Sequence, residues 1–282
     1  MTPIEHRAEP TSVESSPDTA GAVLELRGVG KTWAGGTVAV RGVGFDLRRG
    51  DFVSLVGPSG CGKTTMMNMA AGFLQPTRGS VTLDGNPIAG PGPDRGVMFQ
   101  DYGVFPWLSV EENVAFGLKL AANRKPAPER AAIVEHYLRR MGLWDFRKAY
   151  PKTLSGGMRQ RVALARAYAV NPQFLLMDEP FGALDAQTRS AMHDLLLDVL
   201  HAEGKTVMLI THSVEEAIYL SSKVVVISAR PARIRDLIEV PFAYPRHHAV
   251  QDTQEFSALR ARIHDLVMRE YAAQEAQRRL AA

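Results

Sequence analysis

The 282-residue chain has a single cysteine, Cys61, so it cannot form an intrachain disulfide. One thiol in a chain of this length fits a reducing compartment. No apolar run approaches the roughly 18 residues needed to span a bilayer, so any membrane this protein serves must be reached through another chain. Blocks of five or more like charges are also missing. With 33 Lys and Arg against 30 Asp and Glu, the net +3 gives no electrostatic footprint for a nucleic acid, although the pI is near 9.0. No internal repeat of fixed period is evident. Residues 1–20 carry Pro, Ser, Thr and Glu but no apolar stretch of the secretory kind; they read as a disordered tail.

What is present is enough apolar residue, 45% of the chain, for one large domain or two small ones. Val23-Leu24-Glu25-Leu26 and Val38-Ala39-Val40 read as short strands, with a turn at Gly35-Gly36. Phe52-Val53-Ser54-Leu55-Val56 is a buried strand feeding a loop at Gly57, and residues 63–71 have helical character. From Ser109, which forms a capping box with Glu112, the pattern turns helical. A second helix at residues 128–141 is closed by Gly142. Apolar runs return at Phe174-Leu175-Leu176-Met177, Val207-Met208-Leu209-Ile210 and Val224 to Ile227. Between the first two lies a helix with Met192, Leu195, Leu196 and Val199 on one face, and Ser213 with Glu216 reads as another capping box. Strands alternating with helices predict an α/β fold with a largely parallel sheet. At residues 254–280, Phe256, Leu259, Ile263, Leu266, Val267 and Tyr271 recur at helical spacing. They fit a packing helix or a helix that docks a partner.

Gly57-Pro58-Ser59-Gly60-Cys61-Gly62-Lys63-Thr64 fits the pattern G-x-x-x-x-G-K-[ST], with Thr65 beside it. Glycines let the backbone wrap closely, so that successive N–H groups point at phosphate oxygens. The helix that follows adds the positive end of its dipole. Lys63 supplies an ammonium to the β- and γ-phosphates, and the Thr64 hydroxyl suits Mg²⁺. The strand before and the helix after are the context this motif requires. Cys61 lies inside the loop as a small tolerated residue or as a reactive thiol near a helix start.

Phe174-Leu175-Leu176-Met177-Asp178-Glu179 is an apolar strand ending in two acids. Beside a phosphate loop, Asp178 suits the metal and Glu179 can orient or deprotonate an attacking water. Leu154-Ser155-Gly156-Gly157-Met158 precedes another helix and makes a second anion site at a helix start. It either binds a separate anion or completes a nucleotide site on another copy of the chain.

In this order, these pieces resemble the ATPase subunits of ABC transporters over roughly residues 22 to 245. Leu154-Ser155-Gly156-Gly157-Met158 is similar to the family's signature motif; Met158 stands where many members have Gln, a change expected to be tolerated because Ser155 and the backbone meet the phosphate. The resemblance implies a P-loop NTPase core with a mixed, largely parallel sheet, an N-terminal antiparallel β-subdomain and a helical subdomain inserted at about 101–155. It divides the chain into a tail at 1–22, an ATPase domain at 23–245 and a helical extension at 246–282. It assigns Trp33 to stacking on adenine, Gln100 to the metal and the water, Asp185 in Ala183-Leu184-Asp185 to the dimer seam, and His212 to the γ-phosphate. Ser155, Gly156, Gly157 and Met158 of one copy would then act on ATP and Mg²⁺ held by the phosphate loop of a second, head-to-tail copy.

The resemblance also implies membrane permease subunits, an indirect solute-binding partner, no nucleic acid, and a place on the cytoplasmic face of the membrane. The stretch Asp101-Tyr102-Gly103-Val104-Phe105-Pro106-Trp107-Leu108 would cup a helix of the permease, or else lie buried in the helical part. Several strings, among them Ser228-Ala229-Arg230-Pro231-Ala232-Arg233-Ile234, look like importers for nitrate, sulfonate or taurine. Two rivals are a soluble ABC ATPase acting on a ribosome or nucleic-acid complex and an ATP clamp that does not hydrolyse. One cassette without a coiled-coil insert speaks against the first. The presence of both Glu179 and His212 speaks against the second.

Overall fold

The apolar runs at 52–56, 174–177, 207–210 and 224–227 become the central strands. In the computed structural model, residues 22–101 and 103–281 are described. The expected tail therefore lies outside the described residues, as does Tyr102. In chain order the elements are β1 (Ala22–Thr32), β2 (Val38–Arg48), β3 (Phe52–Val56), α1 (Lys63–Ala71), β4 (Arg78–Leu83), β5 (Asn86–Pro87), β6 (Arg95–Met98), α2 (Val110–Ala115), α3 (Ala127–Arg140), α4 (Gly156–Ala169), β7 (Phe174–Asp178), α5 (Ala186–Glu203), β8 (Thr206–Ile210), α6 (Val214–Leu220), β9 (Lys223–Ile227), β10 (Ile234–Glu239) and α7 (Gln254–Ala281).

Six strands form one sheet in the order β10-β9-β3-β8-β7-β6. The pairs β9·β3, β3·β8, β8·β7 and β7·β6 are parallel, and only the edge strand β10 runs antiparallel. All five residues of β3 and of β8 are buried, as expected where helices and a second sheet cover both faces. Side chains alternate between two cores. Phe52 and Val56 enter the core shared with α2 to α7, while Val53 and Leu55 face α1 and the smaller sheet. Each such fully buried side chain contributes about 1.5–3 kcal/mol of transfer free energy.

The second sheet is antiparallel, in the order β2-β1-β4-β5. Its first two strands run eleven residues each, longer than the apolar strings at their starts predict. Cross-strand pairing carries them through the polar residues, because a ladder of backbone hydrogen bonds is indifferent to the side chain facing water. Strands β4, β5, β6 and β10 have no counterpart among the runs read from sequence. Each has few or no buried apolar residues and takes its conformation from a neighbour.

The capping box at Ser109 and Glu112 forms in both directions. The one expected at Ser213 does not. Ser213 Oγ accepts the Glu216 N–H at 3.2 Å, but the Glu216 carboxylate turns inward to His193 Nε2 at 2.8 Å. Buried, that carboxylate requires a polar partner more than the exposed helix start does. The Ser213 N–H goes to Thr211 Oγ1 instead.

In the helical stretch, α4 packs on both α2 and α3. Asn113, fully buried in α2, brackets the loop before it: its Oδ1 accepts the Phe105 N–H, and its Nδ2 donates to the carbonyls of Phe105, Leu108 and Ser109. At the other end of the chain, α7 seats Phe256, Ile263 and Val267 against the main core.

Candidate functional site

Parallel sheets place ligands beyond the carboxyl ends of their strands. Here β3, β7, β8 and β9 all point the same way, and the segments leaving them meet around an open cavity of about 340 Å³. It is lined by the loop after β3 (Ser59, Gly60, Gly62, Lys63, Thr64 and Thr65), with Glu179 after β7 and His212 after β8. Trp33, Ala39, Gln100 and Arg230 complete the rim.

The start of α1 is unusual in being left open. Gly62 occupies its N-cap at φ 125°, no side chain caps it, and its first turn has no acidic residue. A Cβ at Gly62 would come within 2.8 Å of Ala39 O, so only glycine lets the loop pass the β2 backbone here. The free N–H groups of that first turn are donors in search of an anion. Lys63 Nζ bridges the carbonyls of Gly57 and Pro58 at 2.8 and 2.9 Å, which leaves one ammonium proton for the cavity. Burial pulls its pKa down, against the pull of Glu179 and Asp178 in the other direction. Gly57, Pro58 and Cys61 are buried and do not line the cavity. Burial pushes the Cys61 thiol up, outweighing the nearby Lys63, which runs against the reactive-thiol reading.

Thr64 Oγ1 donates to Asp178 Oδ2 at 2.9 Å, joining the loop to the end of β7. The other carboxylate oxygen, Asp178 Oδ1, is buried and has no hydrogen-bond partner among the described residues. Burial raises the Asp178 pKa, and Glu179 adds to the rise while Thr64 opposes it. An orphaned carboxylate oxygen beside a threonine hydroxyl is a donor set of the kind a hard divalent cation takes.

Glu179 has the left-handed backbone φ of 47°, which costs a non-glycine residue about 1–3 kcal/mol. Its N–H is held by Ile210 O at 2.9 Å, and its Oε1 lies 2.6 Å from His212 Nε2. The strain is what turns the carboxylate out of the strand line and into the cavity. Trp33 sits in the turn between β1 and β2, 44% exposed, with Lys31 Nζ 5.4 Å from its ring centroid. The ring is therefore part-exposed at the rim, with the Lys31 ammonium over it, rather than packed in a core.

The remaining expected residues stand apart. Ser155, Gly156, Gly157, Met158 and Asp185 do not line this cavity. Ser155 caps α4 by accepting the Met158 N–H, and Asp185 caps α5 by accepting the Thr188 N–H at 2.9 Å. The backbone hydrogen bond from Thr188 lowers the Asp185 pKa. Sequence reasoning missed Arg230. It falls within a string read only for its family likeness, although its place three residues past the end of a parallel strand is the signal that would have found it.

The sequence model of the ABC transporter family matches residues 40–182, from β2 through the phosphate loop to the acid pair. The chain belongs to the ABC transporter family. It is 41% identical over 265 residues to the nitrate import ATP-binding protein NrtD of Synechococcus elongatus, covering 91% of this chain and 97% of that one. Over 210 residues it is 49% identical to the taurine import ATP-binding protein TauB of a Jannaschia species, covering 74% and 78%. The ATP-binding cassette MJ0796, solved as a dimer in a post-hydrolysis state bound to ADP and Pi, superposes with a TM-score of 0.67 at 31% identity. That match covers 78% of this chain and all of the cassette. The P-loop NTPase fold expected from sequence is thus the observed one, and this ABC ATPase binds and hydrolyses ATP. Among the described residues no helix is long and apolar enough to cross a membrane.

Proposed function

We propose that the chain is the motor subunit of an ABC importer. It works as a head-to-tail dimer on the cytoplasmic face of the membrane, held there by permease subunits and served indirectly by a solute-binding protein. The observation that carries this reading is a half-site. Phosphate-binding elements and the Glu179–His212 pair share one cavity, while the Ser155 cap lies outside it in the same chain. A second copy would bring that cap, with Gly156, Gly157 and Met158, onto the nucleotide and would place Asp185 at the seam. Residues 57–65 hold the phosphates, and Trp33 stacks on the base. Glu179 accepts a proton from, or orients, the attacking water; His212, whose Nε2 lies 2.6 Å from Glu179 Oε1, reaches the γ-phosphate.

The residues present fit Mg²⁺: Thr64, Asp178 and Gln100 would hold it, and the orphaned Asp178 Oδ1 is the supporting observation. Once bound, the ion neutralises charge developing on the phosphate oxygens. The permease surface is the aromatic loop after Gln100. Trp107 is 70% exposed there, Phe105 packs on Phe116, and Asn113 holds the loop in shape. The solute is a small anion such as nitrate, a sulfonate or taurine, on the likeness to the two import proteins above.

The test is Glu179→Gln in the purified chain with Mg²⁺. Turnover should fall by about 10²- to 10⁴-fold, and a dimer should accumulate on ATP in size-exclusion chromatography. Normal turnover would remove Glu179 from the chemistry. Lost turnover with no dimer at saturating ATP would remove the head-to-tail arrangement.

A further inference from the structure

The back of the phosphate loop is held by two side chains from the C-terminal part of the chain. Arg230 Nη2 donates to Gly60 O at 2.7 Å. Gln274 Nε2, near the end of α7, donates to Ser59 O at 3.0 Å. One helical turn earlier, Glu270, only 7% exposed, accepts the Ala229 N–H at 3.0 Å and pairs with Arg235 Nε at the same distance. Ala232 donates its N–H to Ala39 O at 2.8 Å. The segment carrying Arg230 is therefore pinned on one side by α7 and on the other by β2, and α7 itself is seated by Ile263 and Val267.

In a planar trans peptide, the carbonyl of one residue and the N–H of the next point in opposite directions. Fixing Ser59 O therefore aims the Gly60 N–H, and fixing Gly60 O aims the Cys61 N–H. These are members of the run of donors that a phosphate loop turns toward its anion. Gly60 has φ 71° and no Cβ to restrain it, and the Cys61 N–H has only a long 3.4 Å contact to Pro58 O. Apart from the two outside donors, that long Cys61 contact is all that the described hydrogen bonds offer to set these peptide planes.

We propose that Gln274 and Arg230 are positioning residues for the nucleotide. They hold two successive carbonyls of the phosphate loop so that its N–H groups face the cavity before nucleotide arrives, which makes α7 part of the nucleotide site. This rests on the reading that residues 57–65 bind the phosphates. Arg230 lines the cavity and would also meet nucleotide directly. Gln274 does not line it, so any effect of Gln274 on nucleotide must travel through the loop.

The experiment is calorimetric titration of the full chain with Mg²⁺-ADP, which involves neither hydrolysis nor ATP-driven dimerisation. Gln274→Met keeps the length and removes the donor. It should weaken ADP binding about three- to tenfold, raise the KM for ATP in step, and leave kcat and the nucleotide-free melting temperature unchanged. Gln274→Glu, which sets a carboxylate against a carbonyl, should weaken binding at least as much. Arg230→Lys should retain more affinity than Arg230→Met. Unchanged ADP affinity in both Gln274 variants overturns the proposal. So does a loss that appears only with a matching fall in melting temperature and kcat. Lys63→Ala is the control: if it leaves ADP binding intact, the phosphate-loop reading itself fails, and the positioning role with it.

Discussion

Two helices in this protein begin at glycines, and they begin in opposite ways. At α1 the N-cap is Gly62, with no side chain to satisfy the first-turn amides; at α4 it is Ser155, whose Oγ takes the Met158 N–H at 3.2 Å. Neither first turn carries an acid. The open start faces a cavity in its own chain, beside a buried Lys63 and the Thr64–Asp178 contact. The capped start faces none of that cavity. On the proposed reading, an anion in this chain's own site would complete the first helix, whereas the second, already capped by Ser155, would offer its remaining donors to another copy. The glycines differ as well. Gly62 is small because the β2 backbone passes it. Gly157 is small because Thr188 Cγ2 on α5 lies 2.6 Å from where a Cβ would be. At α4, part of the glycine pattern belongs to helix packing.

Four substitutions separate the two helix starts. Lys63→Ala should have the largest effect, weakening Mg²⁺-ADP binding by about 10- to 100-fold in titration calorimetry, since it removes a charged donor from a partly buried anion site. An affinity within twofold of wild type would erase the distinction between the two starts. Gly157→Ala should destabilise the protein by about 1–3 kcal/mol in denaturant melts through overpacking. Thr188→Ser deletes the offending methyl and keeps the hydroxyl that bonds Asp185, so the double variant should recover most of that loss. Recovery would assign this glycine to packing; a loss that persists would assign it to the backbone. Ser155→Ala should cost about 0.5–2 kcal/mol as a lost cap. It should leave Mg²⁺-ADP affinity of the monomer unchanged and weaken ATP-driven dimerisation of a Glu179→Gln background. Weakened ADP binding in the monomer would mean that the capped start serves its own chain's site.

The smallest effect is expected at Asp178. Burial raises its pKa in the folded protein above the ordinary 3.8, so the folded state holds this proton to higher pH than the unfolded state does. The associated stability is fully present below 3.8 and is lost as pH rises through the folded value. Ionising this buried carboxylate without metal therefore costs stability. Asp178→Asn should raise the melting temperature of the nucleotide-free, chelated protein slightly at pH 7, and the gain should shrink as pH is lowered toward 3.8. A gain that is independent of pH would show that the buried charge is not its source.

The open helix start could be read from sequence because everything it needs lies within eight consecutive residues. Backbone donors, glycines and lysine are positioned by local geometry alone. The acid pair was legible for a related reason: it ends an apolar run beside a phosphate loop, and the ends of parallel strands gather at one edge, whereas His212 was marked only by the family resemblance. Arg230 and Gln274 were not, because nothing near them in the chain signals a phosphate loop, and their partners lie 170 and 215 residues away. The missed strands β4 and β10 bury few apolar side chains and exist through pairing. Glu216 carried a capping signature but was claimed by His193, a competition between helix start and core that only three-dimensional proximity reveals.

The family, the α/β class and the chemistry of the phosphate loop were determined by the residues in their order, since local backbone geometry and hydrophobic period are properties of short stretches. Tertiary structure alone decided which groups hold the loop from behind, that Trp33 is part-exposed at the rim, that Asp178 keeps an oxygen unpaired among the described residues, and that the Ser155 cap lies away from the cavity. Those facts depend on contacts between distant parts of the chain, where burial and the need to satisfy each buried polar atom choose among partners that sequence spacing leaves equivalent.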